Sequence, residues 1–251
     1  MPFRFSEITR IICYLYLPGK SVSDQLHQQF IRFAVESGIL TFGQFQTKAG
    51  RLSPYFFNAG SFNSGALLGR LAGFYARAIN EAEQSGLLQF DVLFGPAYKG
   101  ITLASATAVE LSRSGPDRPF AFNRKEAKDH GEGGILVGAP VDGQRVLIID
   151  DVISAGTSVR ESVKVLENSG ATPTGVIIAL DRQERSGSAT QIGKLSAVQQ
   201  VEQEIGLPVV AIANLEDLLQ FMNSADNTEA NTAHRERITA YRTLYGVNTS
   251  A

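Results

Sequence analysis

An apolar run, two adjacent carboxylates and a loop of small hydroxyl residues follow one another in VLIIDDVISAGTS, residues 146–158. This order narrows the fold more than any other stretch of the chain. VLII is the length of a buried strand and too short for a helix, and a strand that is apolar at every position belongs to a parallel sheet covered on both faces. Asp150 and Asp151 then emerge at its C-terminal end, where open parallel sheets gather ligands. Two adjacent carboxylates need a divalent cation or a set of ligand hydroxyls, because left alone they repel and one is driven to protonate. In the loop that follows, Gly156 lets the backbone approach an oxyanion, and Ser154, Thr157 and Ser158 add hydroxyls. The next helix begins there, so its free N–H groups and positive dipole end point at the loop. The plain alternative is a turn whose acids cap a helix. The ordered combination is more specific than a lone glycine loop, and it suits a phosphate that also carries vicinal hydroxyls, as a ribose 5-phosphate does. It is not a P-loop, since no Gly-Lys-Ser/Thr follows, nor the dinucleotide G-x-G-x-x-G pattern.

The rest of the chain repeats the strand, loop, helix rhythm. DVLFGPAYKG, PFAFN, RVLIID, TGVIIAL and PVVAIA read as five short strands. Helical segments separate several of them, notably residues 157–169, where Val159, Val163 and Leu166 share a face and Gly170 is the stop. Such alternation predicts an α/β fold, a central parallel sheet flanked by helices with a Rossmann-like core. Upstream, residues 25–40 place Leu26, Phe30, Phe33 and Ala34 at helical spacing ahead of Gly38. TFGQFQTKAGRLSPYFFNAG reads as short extended segments, a small N-terminal hood subdomain. Residues 64–86 carry Leu67, Leu71, Phe74 and Ala78 on one helical stripe. The tail starts polar, then resumes helical spacing through Ile238, Tyr241 and Leu244 and ends frayed. The expected layout is an extension at 1–24 and one domain at 25–247, with the hood at about 25–63, the core at about 64–222 and a last helix at about 233–246.

Charge and composition exclude several classes. With 23 basic and 25 acidic residues the formal charge is -2, so no global field favours nucleic acid or an anionic membrane, and any anion must be bound locally. The single cysteine, Cys13, excludes an internal disulfide framework and is compatible with a reducing cytoplasm. The apolar run at 11–18 follows Arg4 and Arg10, yet Glu7 sits in the would-be basic region and no small-x-small site follows. It reads as an amphipathic extension rather than a signal peptide. No stretch is long enough to span a bilayer, which predicts a soluble protein.

The opening stretch resembles the 5-phosphoribosyl 1-diphosphate (PRPP) signature of the type I phosphoribosyltransferases. The resemblance implies that Asp150 and Asp151 hold the ribose hydroxyls, while Val152, Ile153, Ser154, Ala155, Gly156, Thr157 and Ser158 bind the 5-phosphate. A second segment, FNRKEAKDHGEGG, holds Arg124, Lys125, Lys128 and His130 beside Gly131, Gly133 and Gly134. Glu126, Asp129 and Glu132 offset its cations, so it is no nucleic-acid patch, and the glycines read as hinges of a mobile lid over a departing pyrophosphate.

That segment, together with KAGRLSPYFFNAG and ALDRQER, is similar to the orotate phosphoribosyltransferases over residues 25–247. The similarity implies transfer of the phosphoribosyl group of PRPP to orotate, giving orotidine 5'-monophosphate and pyrophosphate in pyrimidine biosynthesis. It further implies that Phe56 and Phe57 line the orotate pocket, while Arg182 and the Ser154 region hold the polar groups of the base. Lys48, Tyr98 and Lys99 contact PRPP, and GPAYKG forms the pyrophosphate loop. The similarity also implies that the lid cations Arg124, Lys125, Lys128 and His130 are catalytic, Lys128 foremost, and that they close over a neighbouring subunit's site in a homodimer. Mg²⁺ comes with PRPP rather than through direct protein ligands. Ser154 stands where the family often has threonine, which keeps the hydroxyl and loses a methyl contact. Two other readings stay open at this point. A phosphoribosyltransferase for another base would share residues 150–158 and lack the Phe56, Phe57 and Arg182 set; a non-catalytic PRPP-sensing regulator would need a DNA-binding domain or a basic face.

Overall fold

The computed structural model describes residues 24–128, 134–224 and 228–247. The N-terminal extension with Cys13, and His130 with Gly131 and Gly133, lie outside the described residues.

Helix α1 (Asp24–Glu36) buries Leu26, Phe30, Phe33 and Ala34, the stripe its spacing predicts, and stops before Gly38, whose φ of 67° is left-handed. Strands β1 (Leu40–Gln46) and β2 (Leu52–Phe57) form a separate antiparallel hairpin. Helix α2 (Gly65–Gln84) is capped by Ser64, whose hydroxyl accepts from the Leu67 amide, and buries Leu71, Phe74 and Ala78.

The core elements follow in chain order: β3 (Val92–Gly95), α3 (Lys99–Ser114), β4 (Phe120–Lys128), β5 (Gly134–Gly138), β6 (Arg145–Ile149), α4 (Thr157–Glu167) and β7 (Thr172–Asp181). Next come a two-stranded ribbon of β8 (Arg185–Gly187) and β9 (Ile192–Ser196), helix α5 (Ala197–Ile205), β10 (Val209–Asn214), α6 (Leu215–Ser224) and α7 (Glu229–Tyr245). The central sheet runs β10-β7-β6-β3-β4-β5. All five apolar runs became strands of it, and all the pairs among them are parallel.

The sheet departs from the expected all-parallel form at one edge, where β5 pairs antiparallel with β4. Only residues 129–133 separate these strands, and a parallel return would need a crossover of a dozen residues or more. The first part of the segment that reads as a lid therefore lies on a strand, with Arg124 and Lys125 on β4 and the backbone of Lys128 opposite Gly134.

Residues 146–149 alternate between two cores. Leu147 and Ile149 join a cluster covered by α1, α2, α3, α6 and α7, whereas Val146 and Ile148 join one covered by α4 and α5. Burial on both faces is the reason this strand is apolar at every position. Helix α7 begins after the Thr228 cap, and its apolar stripe is narrower than the spacing suggests: Ile238 and Tyr241 are buried, while Leu244 is 60% exposed.

Candidate functional site

From β3 the chain moves to β4 and β5 on one side of the sheet, then returns to lay β6, β7 and β10 on the other. The strand order thus reverses between β3 and β6, and a crevice opens outside the C-terminal ends of such a pair. The two loops there are residues 96–98 and 150–156, and each leads into a helix, α3 or α4, whose free N–H groups favour anions.

The first loop folds back on its own strand through a glycine pair. A Cβ on Gly95 would lie 1.9 Å from the Gly100 carbonyl oxygen, and one on Gly100 would lie 2.6 Å from Pro96 Cδ. The Ala97 amide donates to Asn123 Oδ1 at 2.8 Å, which ties the loop to β4, and the Lys125 ammonium lies 5.1 Å from the centre of the Tyr98 ring. Tyr98 itself is 70% exposed. Since the atom facing Gly95 is backbone, Gly95→Ala is expected to lower stability by about 3 kcal/mol, read by urea unfolding; an unchanged midpoint would show that the loop has room to move.

The second loop carries the acid pair. Both acids are buried, yet neither is unpartnered. Asp150 Oδ1 accepts from the Asp151 amide at 2.9 Å, and its Oδ2 accepts from the Ser158 hydroxyl at 2.9 Å. Asp151 Oδ2 accepts from Lys99 Nζ at 2.6 Å, so the first residue of α3 reaches across the crevice to β6. Burial, and then the charge of Asp151, push the Asp150 carboxyl up to about 6. Beneath the pair, the fully buried Tyr75 on α2 donates to the Asp150 carbonyl at 2.7 Å.

Val152 and Ile153 anchor the loop by packing into the two cores on either side, so any contact they make with a ligand runs through their backbone. Ser154, Ala155, Thr157 and Ser158 are exposed above them. Gly156 starts α4 with φ at 72°, and a Cβ there would meet Val201 Cγ2 at 2.6 Å. Arg160 braces the loop from behind, donating to the Ala155 carbonyl at 2.6 Å and pairing with Glu204.

A third group of residues comes from the β1–β2 hairpin and the end of β7. The Ala179 amide donates to the Asp151 carbonyl, which sets this end of β7 beside the acid pair. Three residues on, Arg182 donates from Nη2 to Ser53 Oγ of β2 at 3.3 Å and pairs with Glu184 at 2.6 Å. Phe56 and Phe57 do not share one wall, because consecutive strand residues point to opposite faces. Phe56 is 44% exposed and stacks on Phe45, whereas Phe57 turns inward against Phe30 and Phe62. Lys48 is exposed in the hairpin turn, whose Ala49 carbonyl accepts from the Ala189 amide between β8 and β9.

Sequence reasoning does not reach Tyr75, Asn123, Arg51 or Glu184. Arg51 and Glu184 stand within quoted motifs; Arg51 is 2% exposed, and a charged residue so deeply buried is rare enough to mark a role, but burial is not visible in spacing.

A sheet with an acid pair at its switch point and a glycine-built anion loop on each side is the frame of a phosphoribosyltransferase. Residues 63–192 match the family described as Phosphoribosyl transferase domain. The chain is 61% identical over 228 residues to the orotate phosphoribosyltransferase of Ralstonia nicotianae, covering 91% of this chain and 98% of that protein. It is 62% identical over 222 residues to the one from Cupriavidus necator, covering 88% and 95%. The crystal structure of orotate phosphoribosyltransferase from Francisella tularensis superposes with a TM-score of 0.74 at 39% identity, covering 87% of this chain and 99% of that one. The chain belongs to the orotate phosphoribosyltransferase family.

Proposed function

We propose that the protein transfers the 5-phosphoribosyl group of PRPP to orotate, forming orotidine 5'-monophosphate and pyrophosphate in pyrimidine biosynthesis. The observation that carries this reading is the convergence on one crevice of the Asp150–Asp151 pair, Lys99 and two helix N-termini, with Arg182 at the neighbouring strand end. In the reaction the bond from ribose C1 to the pyrophosphate oxygen breaks and a bond from C1 to the pyrimidine ring nitrogen forms. The ring N–H proton leaves to solvent or to the departing pyrophosphate. Positive charge grows on the sugar and negative charge on the leaving group, so the protein has to orient both partners and stabilise that separation.

The proposed roles follow the geometry. Asp150 and Asp151 accept from the ribose hydroxyls, and residues 152–158 cradle the 5-phosphate through backbone amides and the exposed hydroxyls. Lys99, Tyr98 and Lys48 face the pyrophosphate side, joined on lid closure by Arg124, Lys125, Lys128 and His130. At the base, Phe56 supplies the exposed ring, Phe57 fixes its strand, and Ser154 and Arg182 meet the polar edge of an anionic heterocycle. Mg²⁺ is proposed to enter with PRPP. The acid pair and the loop hydroxyls offer hard oxygen atoms to it, with Lys99 already on one Asp151 oxygen. Magnesium suits that set while keeping most of its ligands as water and phosphate, where it offsets the charge of the pyrophosphate. A homodimer sharing its lids, with a hood at about 25–63, completes the reading. A cytoplasmic location is in keeping with a single cysteine and with the absence, among the described residues, of any helix long and apolar enough to cross a membrane.

Adding PRPP and Mg²⁺ is expected to raise the melting temperature of the wild-type chain, because a ligand bound only to the folded state stabilises it by mass action. Asp151→Asn should abolish that shift. A wild-type protein whose melting does not respond to PRPP would contradict the assignment.

A further inference from the structure

Arg182 is held by a buried charge network that the reaction itself does not call for. Its Nη2 bonds Ser53 Oγ and pairs with Glu184, the Tyr55 side chain hydrogen-bonds the same guanidinium, and Nε is buried with no partner among the described residues. A guanidinium has five donors, and a buried donor left unpaired asks for an explanation. Glu184 has a side chain only 14% exposed and also accepts from the Tyr55 hydroxyl at 3.3 Å. Its second oxygen lies 3.7 Å from Nη1 of Arg51, a residue 2% exposed whose Nη2 donates to the carbonyls of Ser186, Gly187 and Ser188. One carboxylate thus sits between two guanidinium groups.

The backbone around Glu184 is also clamped. Gln183 takes a φ of 50°, its amide donates to Asp181 Oδ1 at 2.8 Å, and its carbonyl accepts from the Val247 amide at 2.9 Å. Glu184 itself bridges Gly246. The network therefore links the β1–β2 hairpin, the end of β7 and the segment after α7.

We infer that Glu184 is a positioning residue for the pyrimidine end of the site: its largely buried carboxylate holds the Arg182 guanidinium against Ser53 and Tyr55, so that the plane of the fork and the donors left over are set for the base. A carboxylate this close to a site for an anion would weaken binding unless its orienting effect outweighed its charge. Here Arg51 lies beside the same carboxylate and offsets its charge. The inference rests on the reading of Arg182 as a base contact.

Glu184→Gln tests it, because the amide keeps the size and an acceptor oxygen while removing the charge. The expected result is a rise of about tenfold in KM for orotate, with KM for PRPP and kcat at saturating orotate little changed, and a lower melting temperature because two guanidinium groups lose their shared carboxylate. In an Arg182→Ala background the same change should add nothing to the orotate KM, since the two residues act as a unit. An unchanged orotate KM in Glu184→Gln would overturn the inference, as would a parallel rise in both KM values, which is what a loosened fold would give. If Arg182→Ala alone leaves the orotate KM untouched, it is the assignment of Arg182 that fails. If Arg182→Ala raises it and Glu184→Gln does not, the positioning role alone is lost.

Discussion

Asp150→Asn is expected to make the protein more stable near neutral pH and at the same time poorly active. In the unfolded chain an aspartate titrates near 3.9. In the folded chain burial, and then Asp151, push Asp150 up to about 6. Between these values the folded state holds a proton that the unfolded state has lost, so raising the pH through this window lowers stability. The cost of ionising Asp150 is absent below about pH 4 and complete above about pH 6, on the order of 2–3 kcal/mol. Asparagine never ionises and can still accept from the Asp151 amide, so the variant should gain about 1–2 kcal/mol at pH 7.5 and nothing near pH 4. Charged hydrogen bonds to sugar hydroxyls are worth about 1.5–3 kcal/mol, so kcat/KM for PRPP should fall by roughly 10- to 100-fold. The wild type should lose the same ratio as pH falls through about 6, and the variant should lack that limb of its profile. Denaturant unfolding at the two pH values checks the first half and the pH–rate profile the second. A variant that is less stable at pH 7.5, or that keeps its PRPP kinetics, would contradict the proposed role.

Lys128→Ala should cut turnover by about a hundredfold or more while leaving melting unchanged. Removing one donor aimed at developing negative charge has effects of about 10²–10³ in turnover. The backbone of Lys128 ends β4 opposite Gly134, beyond the apolar start of that strand. The proposed sharing of lids adds a sharper readout. Mixing Lys128→Ala subunits with Asp150→Asn subunits would build hybrid dimers in which one site has an intact acid pair and an intact lid. Such a mixture should recover roughly a quarter of wild-type activity after subunit exchange. No recovery, in hybrids shown to form, would place each lid over its own subunit's site.

How far the sequence could be read depended on how local each contact is. The strand, acid pair, loop and helix of residues 146–158 are contiguous, so their chemistry and their place at a sheet end could both be inferred before any contact was known. Alternating burial of residues 146–149 in two cores explains why the strand could be placed in the sheet from its sequence alone. The antiparallel β5 was hidden because the charges of β4 masked its strand character, and only the short connection between the two strands betrays it. Adjacency in sequence also conceals that the strand turns Phe56 and Phe57 to opposite faces. Tyr75 meets Asp150 across 75 positions, and Arg182 meets Ser53 across 129, distances over which no spacing rule operates. The residues that hold the site in shape are thus the ones that only the folded chain displays.

The central claim is that this crevice joins a phosphoribosyl group to orotate in particular. The most direct measurement is product formation from PRPP and Mg²⁺ with orotate, uracil and hypoxanthine offered separately to the purified protein. Orotate should yield its nucleotide and one pyrophosphate per turnover, with the other two bases giving nothing above background. Efficient turnover of uracil or hypoxanthine, or no product with orotate, would contradict the account.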